Sequence, residues 1–288
     1  MSGGPGTVVA CIPHFHCRRY IRRAVESLLR QSYRDLTVVV VNDGDTETPW
    51  SELAQIHDPR LVRYSLERNH GPYFATEVVL NATSSPYLLI QDADDWSAPR
   101  RVEGLLSELE RQHADFAFSA HHLYKELANG QLVFQGMEWC QRPCTTLSDT
   151  LLYRFPHTGL WRVRSLRNIG GYYGGFKFGY DRFLTSVVAL VGKVSYVCAP
   201  LYHITSRPHS LMRNKGTGIG SSARAAMDRE MDRMYKELYQ LNLRFTEQAL
   251  TATDLLMRLS AICKRHMSGE DERAVTRHSR QLRGLMQR

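Results

Sequence analysis

The chain has no long hydrophobic run. Its most apolar stretches, Leu36–Val41 and Phe183–Val191, are strand-length or broken by polar residues, far short of the roughly 20 residues that cross a bilayer. Met1 to Gly6 carry no Lys or Arg, and Val8–Ile12 is too short for the core of an export signal. A soluble, cytoplasmic chain is expected. Cysteine is sparse, and Cys11, Cys17, Cys140, Cys144, Cys198 and Cys263 form no paired framework, so reduced thiols are expected rather than disulfides. Cys140 and Cys144 are spaced like half of a zinc site, but no second pair follows, and no structural zinc is expected. Internal repeats and low-complexity tracts are also lacking.

Glycine is missing where a phosphate-binding loop would need it. Pro13-His14-Phe15-His16, after the first apolar run, contain none. This disfavours a G-x-G-x-x-G dehydrogenase. It also weighs against a sugar-phosphate nucleotidyltransferase, which should carry a Gly-rich loop with a basic residue near its first strand.

What is present is ample for a folded body: 288 residues, 43% hydrophobic, with 37 Lys and Arg against 29 Asp and Glu. The net charge of +8 attracts anions such as nucleotides, anionic lipid headgroups or acidic proteins. No nucleic-acid partner is expected.

The pattern alternates. Val8–Ile12 and Leu36–Val41 read as buried strands, and between them Ile21, Ala24, Val25, Leu28 and Leu29 share one face of a 3.6-residue period. Leu61–Ser65 predicts a strand, Tyr73–Ala82 a helix and Tyr87–Gln91 a strand. Pro99 opens a helix through Glu110, and Asp115–Ala120 is another strand. Such alternation implies an α/β fold, with a mostly parallel sheet flanked by helices and ligand sites beyond the carboxyl ends of the strands. From His121 to Tyr180 the alternation gives way to dispersed Gly, Pro and aromatics, which suits an acceptor pocket or lid. A helix over Asp181–Leu190 and a strand over Lys193–Cys198 return the chain to the core.

Asp92-Ala93-Asp94-Asp95 follows an apolar strand and precedes Trp96 and the Pro99 helix start. Crowded carboxylates repel one another, an arrangement that a hard divalent ion such as Mg²⁺ or Mn²⁺ relieves by taking a few carboxylate oxygens and completing its shell with phosphate and water. The bland reading of such a triplet is a turn or helix cap.

Five segments then resemble, in order and spacing, family 2 of the glycosyltransferases, which has the Rossmann-like GT-A fold. They are Val8–His16, Ala24–Tyr33, Val40–Gly44, Asn69–Gly71 and Asp92–Asp95. The resemblance covers residues 7 to about 211. It implies an inverting transferase acting on a nucleotide-sugar, usually a UDP-sugar, with Mn²⁺ or Mg²⁺. Pro13, Phe15 and Asp43 would hold the base, together with Asn69 and Ala93 in the nucleotide site. Asp92 would meet ribose or metal-bound water, and Asp94 would ligate the cation. Arg207 and Arg213 would close over phosphates.

Gly170-Gly171-Tyr172 and Phe178-Gly179-Tyr180-Asp181 resemble the family's later segments, which makes Asp181 the catalytic base. Tyr180 stands where Glu is common, and His14 and His16 where Thr and Asn are common. His157 and Thr158, with Tyr180 and Trp96, would touch the sugar or acceptor. His203 and His209 are candidates for a third metal ligand, and His203 also for a phosphate contact.

The domain reading is a catalytic domain over 1–221, its nucleotide-sugar half ending near 120 and its acceptor half spanning 121–221, and a helical extension over 222–288. That extension carries 13 Lys and Arg against 9 Asp and Glu. Met227, Met231, Met234, Tyr235, Leu238 and Leu241 form one stripe, and Leu255, Leu256, Leu259 and Ile262 another. Two readings follow: a hairpin packed on the catalytic domain, or a surface for a homodimer, the inner membrane face or an acidic partner. The acceptor is open among a polysaccharide, a lipid-linked intermediate and a natural-product scaffold, one carried on a carrier protein included. A non-catalytic relative of the same fold is the alternative outside enzymes.

Overall fold

A computed structural model describes residues 7–138, 156–208, 210, 213, 215–218, 220–248 and 250–287. The chain runs β1 (Val8–His14), α1 (Arg18–Leu29), β2 (Leu36–Asn42), β3 (Leu61–Ser65), α2 (Pro72–Ala82), β4 (Tyr87–Ile90), β5 (Trp96–Ser97), α3 (Arg101–Arg111), β6 (Phe116–Glu126), β7 (Leu132–Glu138), β8 (Leu160–Arg162), α4 (Val163–Asn168), α5 (Tyr180–Val191), β9 (Val194–Ser206), α6 (Ser222–Thr246), α7 (Ala252–Cys263) and α8 (Gly269–Met286).

The strands form one sheet in the order β3-β2-β1-β4-β8-β6-β9-β5, with β7 added on β6. The first four are parallel, so the carboxyl ends of β1, β2 and β4 share one edge. Beyond β4 the sheet is mixed: β8 runs antiparallel between β4 and β6, while β9 runs parallel to β6. The antiparallel steps come from β5, β7 and β8, which the sequence pattern did not predict. β6 and β9 also run past the expected Ala120 and Cys198 to Glu126 and Ser206.

Side-chain alternation along the strands divides the core. Val8, Ala10, Ile12, Val38 and Val40 face α1 and α3, whereas Val9, Cys11, Val39 and Val41 face α2, α5 and the three C-terminal helices. α2 is therefore buried nearly all round, and α8 is packed against it. Pro72 occupies its first turn, where a missing N–H costs nothing.

The last 67 residues are not one helix. Ser221, Thr251 and Ser268 each accept a backbone N–H three residues on, and the last two complete capping boxes with Asp254 and Asp271. These caps start α6, α7 and α8 separately. Met227, Met231, Met234, Leu238 and Leu241 are buried against the chain's own core, as are Leu255, Leu259 and Ile262. Both stripes are thus spent within the chain, which removes the ground for expecting a homodimer through them. Among the described residues no helix is long and apolar enough to cross a membrane.

Candidate active site

The β2 exit is tied to its neighbours by Asp43. Its backbone N–H donates to the His14 carbonyl at 2.9 Å, joining β2 to the end of β1. Its carboxylate accepts the N–H of His70 at 2.8 Å on one oxygen, and on the other the N–H of Gly71 at 2.7 Å and the Asn69 amide at 3.1 Å. Burial pushes this carboxyl up to about 6, against the pull of the His70 and Gly71 donors. Asn69 is therefore held in place, and Lys177 Nζ donates to its carbonyl at 3.1 Å.

Pro13 and Phe15 flank this turn on the β1 side. Phe15 is exposed and lies tilted against His16, with ring centroids 4.0 Å apart. Asp45 accepts the His16 N–H at 2.7 Å. His14 is fully buried, and neither of its ring nitrogens finds a hydrogen-bond partner among the described residues.

The acidic run divides its roles. Asp95 accepts the Thr205 N–H at 2.7 Å and so pins the loop to β9. Burial, then Asp94 and Asp92, holds its carboxyl well above the usual range. Asp92 is raised as well, by burial and by the charges of Asp94 and Asp181, with His157 opposing. Asp94 pairs with the Arg207 guanidinium. Its carbonyl accepts from Arg23 at 2.8 Å and from the Thr205 hydroxyl at 2.7 Å. Ala93 is buried between them.

No group of three His, Cys, Asp or Glu side chains is placed to hold a cation by itself among the described residues. Two carboxylates, Asp92 and Asp94, are what a Mg²⁺-like ion takes when substrate phosphates and water supply its remaining ligands. The donor set fits a cation that arrives with a diphosphate, provided Arg207 yields or shares Asp94.

Beyond the acidic run, Gly179 adopts φ +76° and starts α5, placing Asp181 in its first turn. Tyr73 of α2 donates its hydroxyl to Asp181 Oδ1 at 2.5 Å. His157 Nδ1 shares a hydrogen bond with the Tyr172 hydroxyl at 2.7 Å. Thr158 is buried with its hydroxyl unpaired among the described residues. Trp96 is stacked between Arg23, at 3.9 Å, and His203, at 4.9 Å. Burial and neighbouring His122 lower His203 to about 4.

One expected contact falls elsewhere. Tyr180 is fully buried and donates to the Cys263 carbonyl at 3.0 Å, which places it in the core joining α5 to α7 rather than against a ligand. Arg213 is exposed in a turn after β9. His209, Cys140 and Cys144 lie outside the described residues. Tyr73, Arg23 and Lys177 were not foreseen, and no motif marks them, because each reaches the site from an element defined by other residues. Tyr172 stands in the Gly170-Gly171-Tyr172 segment, but its contact with His157 was not foreseen.

Residues 9–170, more than half of the chain, match the description "Glycosyl transferase family 2"; they take in the Asp43 turn and the Asp92–Asp95 run and end before Asp181 and Arg207. The chain belongs to glycosyl transferase family 2. Streptococcus pneumoniae glycosyltransferase GlyA is 27% identical over 120 residues, covering 41% of this chain and 17% of GlyA. Escherichia coli WfaP, named as a UDP-Glc:α-D-GlcNAc-diphosphoundecaprenol β-1,3-glucosyltransferase, is 23% identical over 115 residues, covering 40% of this chain and 46% of WfaP. This family 2 chain thus spans less than half the length of either relative. Residues 1–349 of Staphylococcus aureus TarS, solved with UDP-GlcNAc, share the fold with a TM-score of 0.58 at 20% identity, over 69% of this chain and 58% of that one.

Proposed function

We propose that this family 2 chain transfers a sugar from a nucleoside diphosphate donor, a UDP-sugar, to an acceptor hydroxyl in a single inverting displacement. One observation carries the reading: the ends of β1, β2 and β4 bring the Asp43 turn and the Asp92–Asp94 pair to one edge, and Asp181 lies close enough to raise Asp92. The UDP-GlcNAc in the TarS structure and the UDP-sugar in the WfaP name support the donor class.

Pro13, Phe15 and the Asp43 turn would bind the base. Asp92 and Asp94 would orient the diphosphate, with a Mn²⁺ or Mg²⁺ ion offsetting the charge that develops on the leaving group. Asp181 would take the acceptor's hydroxyl proton as that oxygen bonds to the anomeric carbon and the bond from that carbon to the diphosphate breaks. Attack from the side opposite the diphosphate inverts the centre. We assign catalysis to residues 1–221, with 222–288 as a buttress. A nucleotide-sugar donor suits a cytoplasmic enzyme whose acceptor is soluble or presented at the inner membrane face.

The test is a screen of UDP-, GDP- and dTDP-sugars, with release of nucleoside diphosphate as the readout. Release with a UDP-sugar, lost in Asp181→Asn while donor binding persists, is the expected result. Silence with every donor across polysaccharide, lipid-linked and small-molecule acceptors overturns the reading.

A further inference from the structure

Asp181 stands on α5, but the group that holds its carboxylate belongs to α2. The Tyr73 hydroxyl donates to Asp181 Oδ1 at 2.5 Å. Tyr73 cannot swing away, since it is 5% exposed and its ring packs edgewise on Tyr180 and His157 and tilted against Tyr172, with centroids 5.9 to 6.4 Å apart. Burial and the Asp181 charge keep its hydroxyl protonated far above neutral pH, so it remains a donor.

Tyr73 also follows directly on Gly71 and Pro72, where α2 begins. Gly71 donates its N–H to Asp43 at 2.7 Å, so the turn gripped by Asp43 and the residue gripping Asp181 are two positions apart on one rigid helix start.

We propose that Tyr73 is a positioning residue for the base. It ties Asp181 Oδ1, leaves Oδ2 to accept the acceptor's proton, and sets that carboxylate in register with the donor-binding turn. The inference rests on the reading of Asp181 as the base. A carboxylate with one oxygen anchored keeps a single rotamer, and a general base must lie within hydrogen-bond reach of its proton to be effective.

The experiment compares Tyr73→Phe, Tyr180→Phe and Asp181→Asn, using the donor active in the screen and checking each fold by its thermal midpoint. Tyr73→Phe is expected to lower kcat roughly 10- to 100-fold, to leave donor KM within about twofold, and to move the acid limb of the kcat/KM profile to higher pH, because the ionised base loses its donor. Tyr180→Phe removes a hydroxyl equally buried but bonded to Cys263, and its acid limb should not move. A 3,5-difluorotyrosine at position 73 keeps the ring in place and strengthens the donor. It should shift the limb to lower pH, a readout that survives if the phenylalanine variant fails to fold. An unchanged limb in both position-73 variants overturns the proposal, even if kcat falls, because that outcome is mere loss of packing. Full activity in Asp181→Asn would instead overturn the base assignment itself.

Discussion

Arg207, at the exit of β9, donates its Nε to the carboxylate of Asp94 across 113 residues of chain, and both side chains are largely withdrawn from solvent. The same guanidinium reaches Cys17 Sγ at 2.9 Å. An arginine suited to phosphate oxygens thus shares the carboxylate that the proposed cation would use. Arg207→Gln should therefore tighten Mn²⁺ binding to the ligand-free chain about tenfold, the equivalent of one charged hydrogen bond, and weaken UDP binding. Direct Mn²⁺ titration checks the first half. Unchanged Mn²⁺ affinity would mean that the pair does not compete with a cation.

Asp43 makes the chain's stability depend on pH in an unusual direction. Burial raises its carboxyl from 3.8 to about 6, so the folded state binds a proton more readily than the unfolded state does. Its contribution favours folding fully below the unfolded value and is lost as pH rises through the window from about 4 to 6. Urea denaturation at pH 4.5 and 6.5 should show wild type gaining on Asp43→Asn as pH falls. The opposite slope would show that the three N–H donors outweigh burial.

Gly44 makes a close approach that no side chain permits. It holds φ +69°, and a Cβ there would lie 2.2 Å from the Arg68 carbonyl carbon. Gly44→Ala should cost at least about 1–3 kcal/mol, the scale of one strained backbone position, and should loosen the Asn69–Gly71 turn. A chemical-denaturation midpoint equal to that of wild type would contradict this packing.

The C-terminal helix is part of the foundation under β3 and α2. Leu282 is fully buried, Ser279 donates to the Val78 carbonyl at 3.1 Å, and His278 and Gln281 both meet the Tyr64 hydroxyl, at 2.8 and 2.7 Å. Leu282→Ala should destabilise the chain by about 2–5 kcal/mol, and one cooperative transition should carry the whole loss. A separate early transition that leaves UDP binding intact would show α8 to be an appendage.

Why some of this was legible in the sequence and some was not follows from particular residues. Leu36–Val41 and Tyr87–Ile90 are apolar because both faces of a central parallel strand are covered, so the Asp residues behind them could be placed at one sheet edge. β8, only three residues long, and β5, only two, have no periodicity to detect. The far halves of β6 and β9 are partly exposed and carry His121, His122, Lys125 and His203, which read as loop. α8 hid its docking face because His278 and Ser279 replace apolar contacts with hydrogen bonds and interrupt the stripe. Tyr73 was invisible for a different reason: its partner, Asp181, lies 108 residues away.

The central claim is that the β1, β2 and β4 exits grip one nucleotide diphosphate together with a cation held at Asp94. The most direct measurement is the thermal midpoint of wild type and Asp94→Asn with UDP and Mn²⁺ and with UDP and EDTA. Saturation at 100 times Kd stabilises a native state by about 2.7 kcal/mol, so wild type should rise by several degrees with Mn²⁺ and much less with EDTA, and Asp94→Asn should lose the difference. Equal shifts in all four samples, or none in any, would contradict the account.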